Sequence, residues 1–123
     1  REVVIESPFI TCYRMYALYH TFQSLINRRI KVYVITRNPI EHEVSMKQQA
    51  EETIRRFEEM GVQVLITTNY SHRKIAILDR NILWEGSLNI LSQSVSQEFM
   101  RRIKSDKDAQ ACFKFANYGK YIY

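Results

Sequence analysis

Apolar and polar positions fall into short runs with two distinct periods. Val3-Val4-Ile5, bracketed by Glu2 and Glu6, predicts a buried first strand. Ser7-Pro8 ends it, because proline cannot donate to a ladder and restricts the residue before it. Leu18, Phe22, Leu25 and Ile26 then recur at i, i+4, i+7 and i+8, which predicts an amphipathic helix from about Cys12 to Asn27. Thr11 is placed to cap that helix, and Arg28-Arg29 closes it with charge that suits the C-terminal dipole. Lys31 to Thr36 is a second, β-branched strand, broken by Arg37-Asn38-Pro39. Ser45 opens a second helix with Ala50, Ile54 and Phe57 on its buried stripe, and Glu51, Glu52, Arg55, Glu58 and Glu59 on its solvated side. Gly61 terminates it, since the left-handed conformation is cheap there. Val62 to Thr67 is a third strand, and the stretch from His72 to Leu78 a fourth. A turn around Arg80 and Asn81 returns the chain as Ile82-Leu83-Trp84. Glu98 to Ile103 alternates weakly, as a further strand would. From Ser105 onward, Ala109, Cys112, Phe113 and Ala116 recur at helical spacing, with Ser105 or Asp106 as cap. The tail from Tyr118 to Tyr123 is either frayed or docked.

Strand–helix–strand–helix–strand implies parallel pairing through crossovers, to which the hairpin adds antiparallel strands. The expected fold is α/β, a mixed and mainly parallel sheet flanked by helices, with residues 1–123 as one domain. At 123 residues there is room for one core. A hydrophobic share of 46% and a charged share of 25% suit a globular fold. The longest charge-free candidate span, Met15 to Asn27, is too short to cross a bilayer and holds His20, Gln23 and Asn27, so no membrane role is expected. Cys12 and Cys112 lack metal-site spacing and are too few for a disulfide framework. They read as thiols in a reducing, cytoplasmic compartment. The start at Arg1 rather than Met reads as a domain excised from a longer protein.

Candidate chemistry concentrates late in the chain. Side chains two apart on a strand share a face, so His72 and Lys74 are expected to point the same way. The returning strand would bring Ser87 and Asn89 beside them. An imidazole, an ammonium, a hydroxyl and an amide on one spot suit a phosphate group. Charge agrees with this placement. Residues 1–71 hold 9 Lys+Arg against 8 Asp+Glu, whereas residues 72–123 hold 9 against 5. The excess supports a polyanionic partner such as nucleic acid, although ordinary solvated charge accounts for it equally well. Arg101, Arg102 and Lys104 divide between the same two explanations. Tyr13, Tyr16 and Tyr19 either stack on bases or, more in keeping with aromatic side chains, pack against the domain or a partner. His42 lies between Glu41 and Glu43, which cannot easily converge on one ion, so a loop or cap role outweighs a metal site.

His72-x-Lys74-x4-Asp79 followed by Gly86-Ser87-x-Asn89 resembles the signature of the phospholipase D superfamily, which includes metal-independent nucleases. Ser7-Pro8-Phe9-Ile10-Thr11, the run from Val32 to Arg37, and the segment from Ser92 to Arg102 with Glu98 look like the version of this domain appended to bacterial and archaeal helicases or ATPases. The superfamily often carries two motifs per chain; here there is one. The resemblance implies a phosphodiesterase that needs no cofactor, with DNA a better substrate than RNA and a helicase or ATPase region in the parent chain. It implies His72 as the nucleophile, Lys74 and Asn89 on the nonbridging oxygens, Ser87 as a further donor and Glu98 as the carboxylate that orients the imidazole. Asp79 completes the motif but faces away from His72 on strand parity, which suits a structural role. Ser7 or Thr11, in a loop near the superfamily's active site, and Arg73, Arg101 and Arg102 are candidate nucleic-acid contacts. In-line displacement wants one imidazole to attack and another to protonate the leaving oxygen, so a single motif implies a homodimer. Two other readings stand beside this one: a phospholipid phosphodiesterase, and a non-catalytic module that grips nucleic acid.

Overall fold

The computed structural model describes residues 1–39, 43–67, 71–93 and 97–122. Its elements are β1 (Glu2–Glu6), α1 (Cys12–Asn27), β2 (Lys31–Arg37), α2 (Val44–Met60), β3 (Gln63–Thr67), β4 (Ile75–Leu78), β5 (Ile82–Gly86), β6 (Met100–Lys104) and α3 (Asp106–Phe115), followed by a 3-10 turn over Tyr118–Lys120. The helix ends follow local chemistry. The Thr11 hydroxyl accepts the Arg14 N–H, and the Ser105 hydroxyl accepts the Asp108 N–H at 3.1 Å. Asp106 and Asp108 then sit at the positive end of α3 and Lys114 at its negative end. α1 closes with Ile30 N–H on Leu25 O and Arg29 N–H on Ile26 O, α2 with Val62 N–H on Phe57 O and Gly61 N–H on Glu58 O. Both closures need a left-handed residue. At α2 it is Gly61 with φ 107°, but at α1 it is Arg29 with φ 61°.

The sheet runs β3-β2-β1-β4-β5-β6. β1–β2 and β2–β3 are parallel, whereas β1–β4, β4–β5 and β5–β6 are antiparallel. The sheet is therefore mixed as expected but not mainly parallel. The two helical crossovers return the chain in the same direction, whereas the short β4–β5 turn can only reverse it. At the β4–β5 turn both Asp79 and Arg80 are left-handed, with φ of 52° and 55°. Arg80 is held there by Glu2, with Nε 2.7 Å from the carboxylate, and lies over the Phe113 ring.

Strand parity divides the core in two. Val4, Tyr33, Ile35, Ile75, Ile77 and Leu83 pack under α3 and the C-terminal tail. Ile5, Val32, Val34 and Ala76 face α1 and α2 with Met15, Phe22 and Phe57, the last two rings meeting edge to face at 5.3 Å. The tail is docked, because Tyr118 and Ile122 are buried. Tyr13, Tyr16 and Tyr19 instead stand in solvent, so the expected packing against the domain is not realised in this chain.

One charged cluster lies inside the α3 side of the core. Glu6 follows Val4 by two residues, so its side chain turns inward, and it is 1% exposed. Its Oε1 accepts the Tyr118 hydroxyl at 2.5 Å and Arg73 Nε–H at 3.0 Å. Burial, together with the Glu6 carboxylate, pushes the Tyr118 phenol far above its ordinary value. Burial tends to lower Arg73, but its bond to Glu6 outweighs this, and the guanidinium ends above its ordinary value.

Two outcomes follow. Arg29→Gly removes left-handed strain from an exposed position and should stabilise the fold by about 0.5–1 kcal/mol, read from the urea midpoint at constant slope; no gain would mean that Arg29 carries no such strain. Above about pH 10 the unfolded chain loses the Tyr118 proton while the folded chain keeps it, so stability falls as pH rises, by up to about 1.4 kcal/mol per pH unit. Tyr118→Phe lacks this component. The stability gap between the two proteins should therefore narrow above about pH 10, and parallel curves would refute the assignment.

Candidate active site

The register of three strand pairs brings His72, Lys74 and Gly86 to one end of the sheet. Ile75 pairs with Glu6 on one side and Glu85 on the other, and Gly86 pairs with Met100. The segment before β4, the loop after β5 and the segment before β6 therefore meet beyond the end of β1. They form a shallow, open concavity lined by His72, Lys74, Gly86, Phe99 and Arg101, with Arg73, Ile75 and Glu85. His72 is exposed and Lys74 half-buried. Neither lies in the ladder, because β4 starts at Ile75 and not at His72 as the alternation suggested. Lys74 Nζ donates to the His72 carbonyl at 2.7 Å.

The Gly-Ser-x-Asn loop is built by backbone contacts. A Cβ on Gly86 would lie 2.0 Å from the Phe99 carbonyl oxygen, so only glycine fits. Ser87 N–H donates to that carbonyl at 2.8 Å, and Ser87 Oγ accepts the Phe99 N–H at 3.0 Å. The Ser87 hydroxyl hydrogen remains available to donate. The Asn89 carbonyl closes a turn by accepting Ser92 N–H and Gln93 N–H, while its side-chain Oδ1 is buried with no donor among the described residues. The loop is fastened to the start of α1 through Thr11 N–H on Leu91 O and Arg14 Nε–H on Ile90 O, both at 2.8 Å.

The other expected site residues divide. Ser7 is fully buried, its hydroxyl donating to Phe9 O and accepting Leu91 N–H, so it cannot be a nucleic-acid contact. Thr11 is the cap of α1. Arg73 donates to Glu6 through Nε, is half-buried and also lines the concavity. Arg101 is exposed but paired with Glu85, and Arg102 is exposed on the opposite face of β6. Asp79 sits at the far end of β4, where its Oδ1 accepts the Glu2 N–H at 2.9 Å. At about 3.3 Å per residue β4 alone keeps it roughly 10 Å or more from His72, so Asp79 is structural rather than part of the reacting cluster. Glu98 is exposed in the segment before β6, which starts two residues later than the alternation suggested, and it makes no hydrogen bond or ion pair among the described residues. Glu41 and His42 lie outside the described residues. Among those described, no group of three or more His, Cys, Asp or Glu side chains could hold a metal ion, and no helix is long and apolar enough to cross a membrane. The buried Glu6–Tyr118 contact had a partial signal, a carboxylate on the core parity of β1, but nothing local names its partner.

Comparison with known proteins places this geometry. The family model described as "Cardiolipin synthase, PLD-like domain" matches residues 1–117. No curated protein sequence gives a significant match. Similar solved structures include NucT from Helicobacter pylori, with TM-score 0.71 and 20% identity over 96% of this chain and 78% of that one. They also include Nuc from Salmonella typhimurium, described as a phospholipase D family member, with TM-score 0.71 and 16% identity over 93% of this chain and 74% of that one. Phosphatidylserine synthase from Haemophilus influenzae gives TM-score 0.69 and 16% identity over 97% of this chain but 32% of that one. The mixed six-stranded sheet, the motif segments at one of its ends and a family match over nearly the whole length agree, and the chain belongs to the PLD-like domain family of the phospholipase D superfamily.

Proposed function

We propose that the chain is a metal-independent phosphodiesterase that cleaves DNA at a site completed by a second copy of itself. The observation that supports this reading is an open concavity at one end of the sheet lined by His72 and Lys74 together with Gly86, where the Ser87–Asn89 loop begins. His72 of one chain attacks phosphorus, forming a P–N bond as the P–O bond to the leaving oxygen breaks. His72 of the other chain gives that oxygen its proton, then takes one from the water that breaks the P–N bond. Lys74 has three N–H donors and spends one on the His72 carbonyl, leaving two for nonbridging oxygens. The free Ser87 hydroxyl hydrogen adds a third donor. The assignment of Asn89 to a nonbridging oxygen rests on the motif, since its side-chain Oδ1 is buried with no donor among the described residues. These fixed donors stabilise the charge that builds on phosphorus. Glu98 would reach the imidazole only when substrate or partner orders the site.

A polyanionic nucleic acid is favoured over a single phosphodiester by the basic balance of residues 72–123 and by exposed Arg101, Arg102 and Lys104. A phospholipid substrate is the second reading, favoured by an apolar groove lined by Val3, Leu18, Phe22, Leu25 and Ile30. That groove reaches the Asp79 end of β4, away from His72, which makes it the weaker reading.

Labelled single- and double-stranded DNA, incubated in excess EDTA, should be cut by the wild type, and His72→Ala should lower the rate by about 10²–10⁴-fold. The pH–rate profile should show a rising and a falling limb; a flat rate between about pH 5 and 8 would count against acid and base imidazoles. Equal cutting by both proteins would place the site elsewhere, and turnover of phospholipid vesicles without DNA cutting would establish the second reading. A shared site also predicts the behaviour of mixtures. After subunit exchange with an equal amount of His72→Ala, activity should fall to about a quarter per total site, because both chains must be intact. A fall to half would mean independent sites.

A further inference from the structure

His72 and Lys74 carry the chemistry but stand outside the ladder, so something other than sheet hydrogen bonds must fix them. Between them lies Arg73, whose side chain goes to the opposite face and binds the buried Glu6 carboxylate. Glu6 is itself held by Tyr118, from the docked tail. Arg73 lines the active-site concavity on one side. On the other it lines a small cavity beneath the tail, shared with Thr67, Asn117 and Lys120.

We propose that Glu6, Arg73 and Tyr118 are positioning residues for the reaction, a triad through which the C-terminal tail holds the His72–Lys74 segment in place. The inference rests on the phosphodiesterase reading of this site. Stability alone explains the cluster poorly. Taking the Glu6 carboxylate out of water costs several kcal/mol, and apolar residues of the same volume often do as well or better. Here the cost is not fully offset, because Glu6 Oε2 is buried with no hydrogen-bond partner among the described residues and the paired Arg73 side chain stays 33% exposed. What the triad supplies is direction. A guanidinium bonded to a fixed carboxylate pins the backbone of residue 73, and with it both neighbours. The phenol stays protonated and so remains a donor to Glu6. The family match ends at residue 117, so Glu6 and Arg73 lie inside the matched region and Tyr118 one residue beyond it.

The test uses Arg73→Met, the conservative Arg73→Lys, and the milder Tyr118→Phe in case the first destabilises the fold. Each is assayed at a temperature where circular dichroism shows it folded. Arg73→Met should lower kcat about 10²-fold, the loss expected of a misplacement near 1 Å, with KM within about 3-fold. Tyr118→Phe should cost about 3–10-fold, and Arg73→Lys should recover part of the loss. Independently of turnover, the ¹⁵N order parameters of residues 72–74 should fall from a rigid value of about 0.85 toward 0.6 in Arg73→Met, with β2 and α1 unchanged. Wild-type kcat in folded Arg73→Met, or unchanged order parameters, would overturn the proposal. Should the wild type cleave no phosphodiester, the function reading fails, and the order parameters alone decide whether the triad orders the segment.

Discussion

The antiparallel register between β1 and β4 is the constraint on which both the fold and the site depend. Among the described strands β1 alone has mixed pairing, with β2 parallel on one side and β4 antiparallel on the other. Pairing Glu6 with Ile75 lets the chain before β4 run past the end of β1, where the loops after β1 and β5 also emerge. It fixes parity as well. A slip of one residue would turn every β4 side chain to the other face, moving Ile75 and Ile77 out from under α3. Arg73 would then point away from Glu6. The core and the site are specified by the same ladder.

The two faces of the sheet have unequal duties. The α1–α2 face is an ordinary apolar layer, closed by Phe22 against Phe57. The α3 face carries a carboxylate, a phenol and a guanidinium among its aliphatic side chains. Polar groups inside a core restrict the arrangements that satisfy them, where apolar contacts tolerate several. This face is also the one against which the C-terminal residues dock, with Tyr118 and Phe113 meeting edge to face at 5.6 Å. The tail is thus tied to the segment that bears the candidate nucleophile, 45 residues upstream of Tyr118 by the spacing of Arg73.

Local features were legible in the sequence and remote ones were not. The bounds of α1 agree with the apolar period and the Thr11 cap, because both signals lie within one turn of the ends they define. The His-x-Lys and Gly-Ser-x-Asn elements lie at the same end of the sheet, as the hairpin that joins them requires. Gly86 has its own physical reason, the Phe99 backbone crossing where a side chain would be. The parallel share of the sheet was overestimated, because periodicity gives strands but not partners. Ser7 was taken for a surface contact because a loop serine after a strand carries no mark of burial, and it proved to bridge Phe9 and Leu91. Glu6 and Tyr118 are 112 residues apart, and nothing in either neighbourhood names the other.

The two rims of the sheet differ in a way that bears on association. β6 ends one side and carries Arg101, Arg102 and Lys104, whose like charges discourage an incoming strand. β3 ends the other side as Gln63-Val64-Leu65-Ile66-Thr67, without a charge and with Ile66 open to solvent. So apolar a strand at the edge of a sheet is a template for accidental strand addition. Aggregation of this chain, when its packing loosens, would begin at the β3 rim, at the opposite side of the sheet from the guarded β6.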